Sequence, residues 1–180
     1  MASLERTSPW QRIDAAEQAW CLRLNRTSRH AAVRQFFATV SRLGDGVFWY
    51  LLILAFAISG PQGAEVAAQM AVCGLAGVVL YRQLKHRLVR ERPFISHAAI
   101  QLGTAPLDRY SFPSGHTLHA VSFTVVATTH VPELAPILLP FALLVAASRV
   151  VLGLHYPSDE LAGAALGLAL AQATLVTWPG

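Results

Sequence analysis

Ala-Glu-Val-Ala-Ala-Gln-Met-Ala-Val-Cys-Gly-Leu-Ala-Gly-Val-Val-Leu-Tyr, residues 64 to 81, is the stretch that decides the fold. It carries a single charge, at its second position. An apolar run of this length approaches the ~20 residues a helix needs to cross a bilayer. Its Ala, Gly and Val content allows close approach to neighbouring helices. On its N-terminal side Ser59-Gly60-Pro61-Gln62-Gly63 reads as a turn, preceded by a second apolar run, Val47–Ile58. Twelve apolar residues are short for a span, but with their flanking turns they make a plausible first one. On the C-terminal side a polar region, Arg82–His116, leads to three further runs: Thr117–Val131, Leu134–Leu152 with Pro136 and Pro140 near its start, and Leu161–Trp178. Five spans result. The expected fold is all-α, an integral-membrane helical bundle of five to six transmembrane helices preceded by an amphipathic N-terminal helix.

Composition agrees. The chain has 180 residues, 54% hydrophobic and 13% charged, where a soluble domain carries about 25% charged residues. Mean hydropathy is +0.44. A soluble helical bundle is the weaker alternative. One domain is expected over residues 1–180, with an amphipathic or interfacial region at 1–45 and the site-bearing bundle at 46–180. Met1–Arg12 is polar with no apolar core behind it, so it does not read as a secretory signal. In Pro9–Leu24, Trp10, Ile13, Trp20, Cys21 and Leu24 recur at helical spacing. That pattern fits a helix in the membrane interface and equally a cap packed on the bundle. Val33, Phe36, Phe37, Val40 and Leu43 form a second amphipathic helix. Gly44-Asp45-Gly46 is read as its end, with Asp45 capping the next helix. Cys21 and Cys73 lack metal-ligand spacing and read as free thiols.

Threading five spans alternately through a membrane puts four helix ends on one face, and the strongest polar groups fall there. Lys85, Arg87, Arg90 and Arg92 follow the second span, and Ser114, Gly115 and His116 open the third. Arg149 ends the fourth, and His155 and Asp159 join it to the fifth. Ionisable residues near a membrane core are costly and are functional candidates by default. The octapeptide Tyr110-Ser-Phe-Pro-Ser-Gly-His-Thr117 offers free amides at a helix start, where an anion binds well. Lys85, Arg92 and Arg149 supply charge for a phosphoryl group, and Ser114 and the Gly115 amide add donors. His155 is a candidate nucleophile, with Asp159 four residues on to fix its tautomer. His116 is then placed to protonate a leaving oxygen and to activate water. The protein's own cations make a metal or cofactor unnecessary. Lys85 or Arg92 alone would read as a juxtamembrane basic cluster, and His155 alone as a structural histidine. A lone arginine in the fourth run demands a partner. His119 is read as structural or as a support behind the site, His30, His86 and His97 as surface or interface residues, and Asp108, Arg109 and Tyr110 as the rim of the site.

Three segments together resemble the type 2 phosphatidic acid phosphatase superfamily, which includes vanadium-dependent haloperoxidases and bacterial acid phosphatases. They are Lys85, six residues, Arg92-Pro93; Pro113-Ser114-Gly115-His116; and Ser148-Arg149, five residues, His155, three residues, Asp159. The resemblance implies a metal-independent phosphatase acting through a phosphohistidine, with His155 as nucleophile, Asp159 orienting it, His116 as acid and then base, and Lys85, Arg92, Ser114, Gly115 and Arg149 as the phosphate cradle. A lipid phosphotransferase would use the same site. A non-catalytic anion-binding or transport protein is the reading from another class, and both histidines with Asp159 weigh against it. Membrane placement favours a lipid substrate: phosphatidic acid, phosphatidylglycerol phosphate, an isoprenoid phosphate or diphosphate, or lipid A, with a small head preferred. Membrane lipids are the other expected partners, and nucleic acid is not. All 14 Lys and Arg residues fall on the site's face if residues 1–46 lie there too. The positive-inside rule then leans towards a cytoplasmic site in the inner membrane.

Overall fold

Residues 9–178 are described in the computed structural model, with side chains from residue 12. The polar N-terminal segment and the Trp10 side chain therefore lie outside the described residues. Helix α1 (Pro9–Asn25) leads through a short 3-10 turn to α2 (Ala31–Arg42), which passes into α3 (Phe48–Ile58). After α4 (Pro61–Leu88) and the single turn α5 (Pro93–Ser96), a long connection reaches α6 (Gly115–His130). Helices α7 (Ala135–Val151) and α8 (Pro157–Thr177) complete the bundle.

Among the described residues, four segments are long and apolar enough to cross a membrane: Ala31–Ile58, Pro61–Leu88, Pro132–Val151 and Pro157–Thr177. Helix α6 is shorter, at 16 residues, and is packed by α4, α7 and α8. Large apolar side chains on the outer surfaces, such as Ile58, Leu143, Leu161 and Val176, are 72–77% exposed. Exposed apolar faces on this scale do not suit water; here they face lipid.

The first span differs from its sequence reading. Val33–Leu43 and Val47–Ile58 join into one segment, because Gly44-Asp45-Gly46 bends the helix without ending it. A wide π turn over Leu43–Val47 keeps the backbone bonded, as such insertions do in kinked helices. Gly46 has φ +139°, a conformation that only glycine adopts without strain. The Trp49 indole donates to the Gly44 carbonyl at 3.2 Å across the bend. Asp45 caps nothing there: the helix start at Val47 has no side-chain cap. Helix α4 runs past Tyr81 to Leu88, through residues of good helix propensity, which leaves Lys85 on its last turn.

Trp49 is also the centre of the core. The rings of Phe48, Phe123 and Phe141 lie 5.0–5.5 Å from it, each such pair adding about 0.5–1.5 kcal/mol beyond burial. Helices α6 and α8 meet backbone to backbone. A Cβ at Gly163 would strike the Ser114 carbonyl, and one at Gly167 the Leu118 carbonyl.

Helix α1 packs on the end of the bundle where the polar residues gather. Its Glu17 accepts from the Ser158 amide at 2.6 Å, while Trp20, Ile13 and Leu24 face outward. The helix packs on the bundle and keeps an apolar outer edge. The described N-terminal residues thus lie at the same end as the candidate site. Cys21 and Cys73 are free and buried, and burial pushes the Cys21 thiol up to about 12.

Candidate active site

His155 lies in the connection between α7 and α8 and is 1% exposed. The Arg92 Nη1 group is 3.1 Å from its Nε2. A guanidinium can only donate, so Nε2 carries the lone pair and the ring proton sits on Nδ1. That nitrogen is 3.4 Å from Asp159 Oδ2, close but not aligned as a hydrogen bond. Burial, reinforced by Arg92, Arg149 and Lys85, holds the imidazole well below its ordinary value. The ring is therefore neutral at pH 7, its Nε2 lone pair accepting from Arg92.

Asp159 sits on the first turn of α8, which Pro157 opens as the sequence suggests. Its Oδ2 accepts from the Tyr156 amide at 2.8 Å, and its Oδ1 from Arg90 Nη1 at 2.6 Å. Arg90 is itself held by Asp14 at 2.6 Å and Glu17 at 2.8 Å, and its guanidinium covers the Tyr156 ring at 4.0 Å. Its side chain and that of Asp159 are both fully buried. Removing one member of such a pair costs about 3–5 kcal/mol, since the other is left uncompensated.

The cations converge from three elements. Lys85 and Arg92 both reach Asp108, at 2.7 and 2.6 Å. Burial raises the Asp108 carboxyl, but Lys85 and Arg92 outweigh it and hold the group below its ordinary value. Arg149 donates to Ser41 of α2, and its buried Nε has no hydrogen-bond partner among the described residues. Ser114 caps α6, accepting from the Thr117 amide at 3.4 Å, so the free amides of Gly115 and His116 open the helix toward the same space. Lys85, Arg92, Gly115, His116, Arg149 and His155 all line one cavity of about 540 Å³. It continues between α3 and α4 along an apolar wall that includes Trp49, Ile53 and Leu75.

The structure therefore brings together His155, His116, Lys85, Arg92, Gly115 and Arg149, with Asp159 behind His155 and Ser114 at the α6 cap. Four residues gain contacts that sequence reasoning missed. Asp45 lies 3.2 Å from His116 Nε2. Asp108, read as rim, bridges two cradle cations. Arg90, read as general positive charge, anchors Asp159. Glu160 is buried and accepts from the Thr117 hydroxyl. The adjacency of Glu160 to Asp159 was the one local signal; the other partners are distant in sequence. His119 ties α6 to the Gly74 carbonyl of α4 at 3.1 Å. His30 and His86 are exposed, and His97 is half-buried against Tyr156. No group of three or more His, Cys, Asp or Glu placed to hold a metal occurs among the described residues.

With this geometry in view, the comparisons are direct. Residues 63–179 match the PAP2 superfamily, and the chain belongs to it. It is 36% identical over 121 residues to the decaprenylphosphoryl-5-phosphoribose phosphatase of Mycolicibacterium smegmatis, covering 64% of this chain and 62% of that protein. The chain thus spans under two thirds of that relative's length. Aquifex aeolicus LpxE superposes with TM-score 0.78 at 28% identity, over 89% of this chain and 95% of LpxE. The transmembrane PAP2-type phosphatidylglycerolphosphate phosphatase of Bacillus subtilis superposes with TM-score 0.71 at 26% identity, over 92% and 86% respectively. Like that neighbour, this chain is a multi-pass membrane protein of helical architecture.

Proposed function

We propose that this protein is a lipid phosphate phosphatase that works without a metal ion, through a phosphohistidine. The observation that carries the reading is His155: a neutral ring at the wall of a cavity lined by Lys85, Arg92 and Arg149, whose Nε2 lone pair is held by an Arg92 N–H that an incoming phosphoryl oxygen can draw away. Nε2 attacks phosphorus, and the bond from phosphorus to the ester oxygen breaks. The leaving oxygen takes a proton from His116. Water then attacks the phosphohistidine, returning a proton to His116 as the bond from phosphorus to nitrogen breaks. Asp159 holds the Nδ1 proton side of His155 throughout. The cradle cations and the α6 amides carry the charge that builds on the phosphoryl oxygens.

The substrate is a lipid or isoprenoid phosphate or diphosphate. The apolar wall of Trp49, Ile53 and Leu75 suits a hydrocarbon chain, and the Mycolicibacterium smegmatis relative bears a polyprenyl substrate in its name. The site opens on the cytoplasmic face of the inner membrane. Support comes from Arg12, Arg23, Arg26 and Arg29, which precede the first span on α1 and the following turn, together with the positive-inside rule.

The test is phosphate release by purified protein, in chelator, from a panel of polyprenyl and glycerolipid phosphates and diphosphates. Release from at least one is expected, and His155→Ala should lower it by at least about a thousandfold. Full activity in that variant, or activity that chelator abolishes, would overturn the reading.

A further inference from the structure

His116 has a problem that the cradle creates. To protonate a leaving oxygen it must carry a proton among cations: Lys85, Arg92 and Arg149 line the same cavity, and burial and then Arg149 push the ring down to about 4, with Asp45 opposing them. Like charges at such separations repel strongly away from bulk water. A countercharge is needed, and most nearby carboxylates are committed elsewhere. Asp108 binds Lys85 and Arg92, Asp159 binds Arg90, and Glu160 accepts from Thr117. Asp45 Oδ1 lies 3.2 Å from His116 Nε2 and lines the cavity.

The backbone around Asp45 is shaped to hold it there. Gly44 packs so closely on α7 that a Cβ would lie 2.6 Å from the Val145 side chain. Gly46 takes its positive φ, and a Cβ there would strike the Tyr50 ring. The Trp49 indole fastens the Gly44 carbonyl. A transmembrane helix is thus bent in mid-course, at a site fixed on both sides, and the residue at the bend is a carboxylate facing a histidine.

We infer that Asp45 is the positioning residue for His116: it supplies the countercharge that favours the protonated ring as the phosphate binds, and it orients that ring toward the leaving oxygen. This rests on the phosphohistidine reading. An imidazolium has two N–H groups. With Nε2–H directed at Asp45, the other is passed to the leaving oxygen, and Asp45 keeps its charge through the step. The molecule then contains two histidine–carboxylate pairs of opposite purpose. Asp159 supports a neutral nucleophile, and Asp45 supports a charged acid.

The test uses leaving groups. An alkoxide from a lipid monophosphate needs a proton as it departs; p-nitrophenolate does not. Values of kcat/KM report the phosphorylation half-reaction, in which the leaving group departs. Asp45→Asn should lower kcat/KM for the lipid monophosphate by about 30-fold or more, within the range for acid catalysis. Its kcat/KM for p-nitrophenyl phosphate should fall several-fold less than for the lipid, and His116→Ala should likewise lose more with the lipid than with the aryl ester. Vanadate inhibition that is not weakened in the variants reports an intact fold. Asp45→Glu, which keeps the charge, should show a smaller split than Asp45→Asn. A split in His116→Ala with none in Asp45→Asn or Asp45→Glu overturns the role of Asp45 alone. No split in any variant overturns the reading of His116 as the acid, and the role of Asp45 with it.

Discussion

At the scale of single residues, the site is defined by how its charges are shared. Asp108 is engaged by both Lys85 and Arg92, so an incoming phosphate must compete with a carboxylate already in the cradle. Neutralising it leaves the two cations for the ligand. Asp108→Asn is expected to strengthen inhibition by inorganic phosphate or vanadate about threefold to tenfold, as the loss of one nearby like charge allows; inhibition constants at fixed salt measure this. A second consequence concerns pH. The His155 value is depressed in the folded protein, so the unfolded chain binds more protons near the ordinary histidine value. Stability from this group is present above pH ~6.5 and is lost as pH falls toward the folded value. Thermal midpoints in detergent should therefore fall on acidification below pH ~6.5, and fall less in His155→Phe. The residues that stood out in sequence, His155, Asp159, Arg149 and the Pro113–His116 turn, did so through short, fixed spacings. Asp45 and Arg90 gave no such signal. Their partners are 71 and 69 positions away, and only the folded bundle brings them within reach.

At the scale of elements, the helices were legible wherever hydrophobic runs were long, and the boundaries were not. Ala64–Tyr81 reads as a span at once; its continuation to Leu88 is hidden because charged residues are as compatible with helix as with loop. The opposite error occurs at Gly44–Gly46. Glycine and aspartate are breaking signals, yet here they make a bend inside one long segment. Helix α6 is the element on which the site depends. It carries His116 at its start and touches α8, which carries Asp159, through Gly163 and Gly167. Gly167→Leu would push these backbones apart. Overpacking of this kind costs about 1–3 kcal/mol or more. The variant is expected to lose thermal stability and phosphate release together, measured by the midpoint in detergent and by initial rate.

At the scale of the whole molecule, the Lys and Arg distribution and the position of α1 concern the same face. Arg12, Arg23, Arg26 and Arg29 precede the first span, on α1 and the 3-10 turn that follows it, and α1 is joined to the site's end of the bundle through Glu17 and Ser158. A cysteine placed at exposed Ala105, near the site, is the probe of choice, since the native Cys21 and Cys73 are both 0% exposed. In intact cells, an impermeant maleimide should leave Ala105→Cys unlabelled until the membrane is opened. Labelling from outside would reverse the proposed orientation.

Glu17 on α1 grips the amide and hydroxyl of Ser158, 141 residues further along the chain, and its neighbour Asp14 shares Arg90 with it. The scaffold of Asp159 therefore closes only when the first described helix meets the start of α8. During synthesis that meeting must wait for nearly the whole polypeptide. A nascent chain with its early spans already in lipid has Lys85, Arg90, Asp14 and Glu17, but neither His155 nor the Ser158 and Asp159 that Glu17 and Arg90 hold. If the site acts as proposed, it is complete only once α1 has closed on a nearly finished chain.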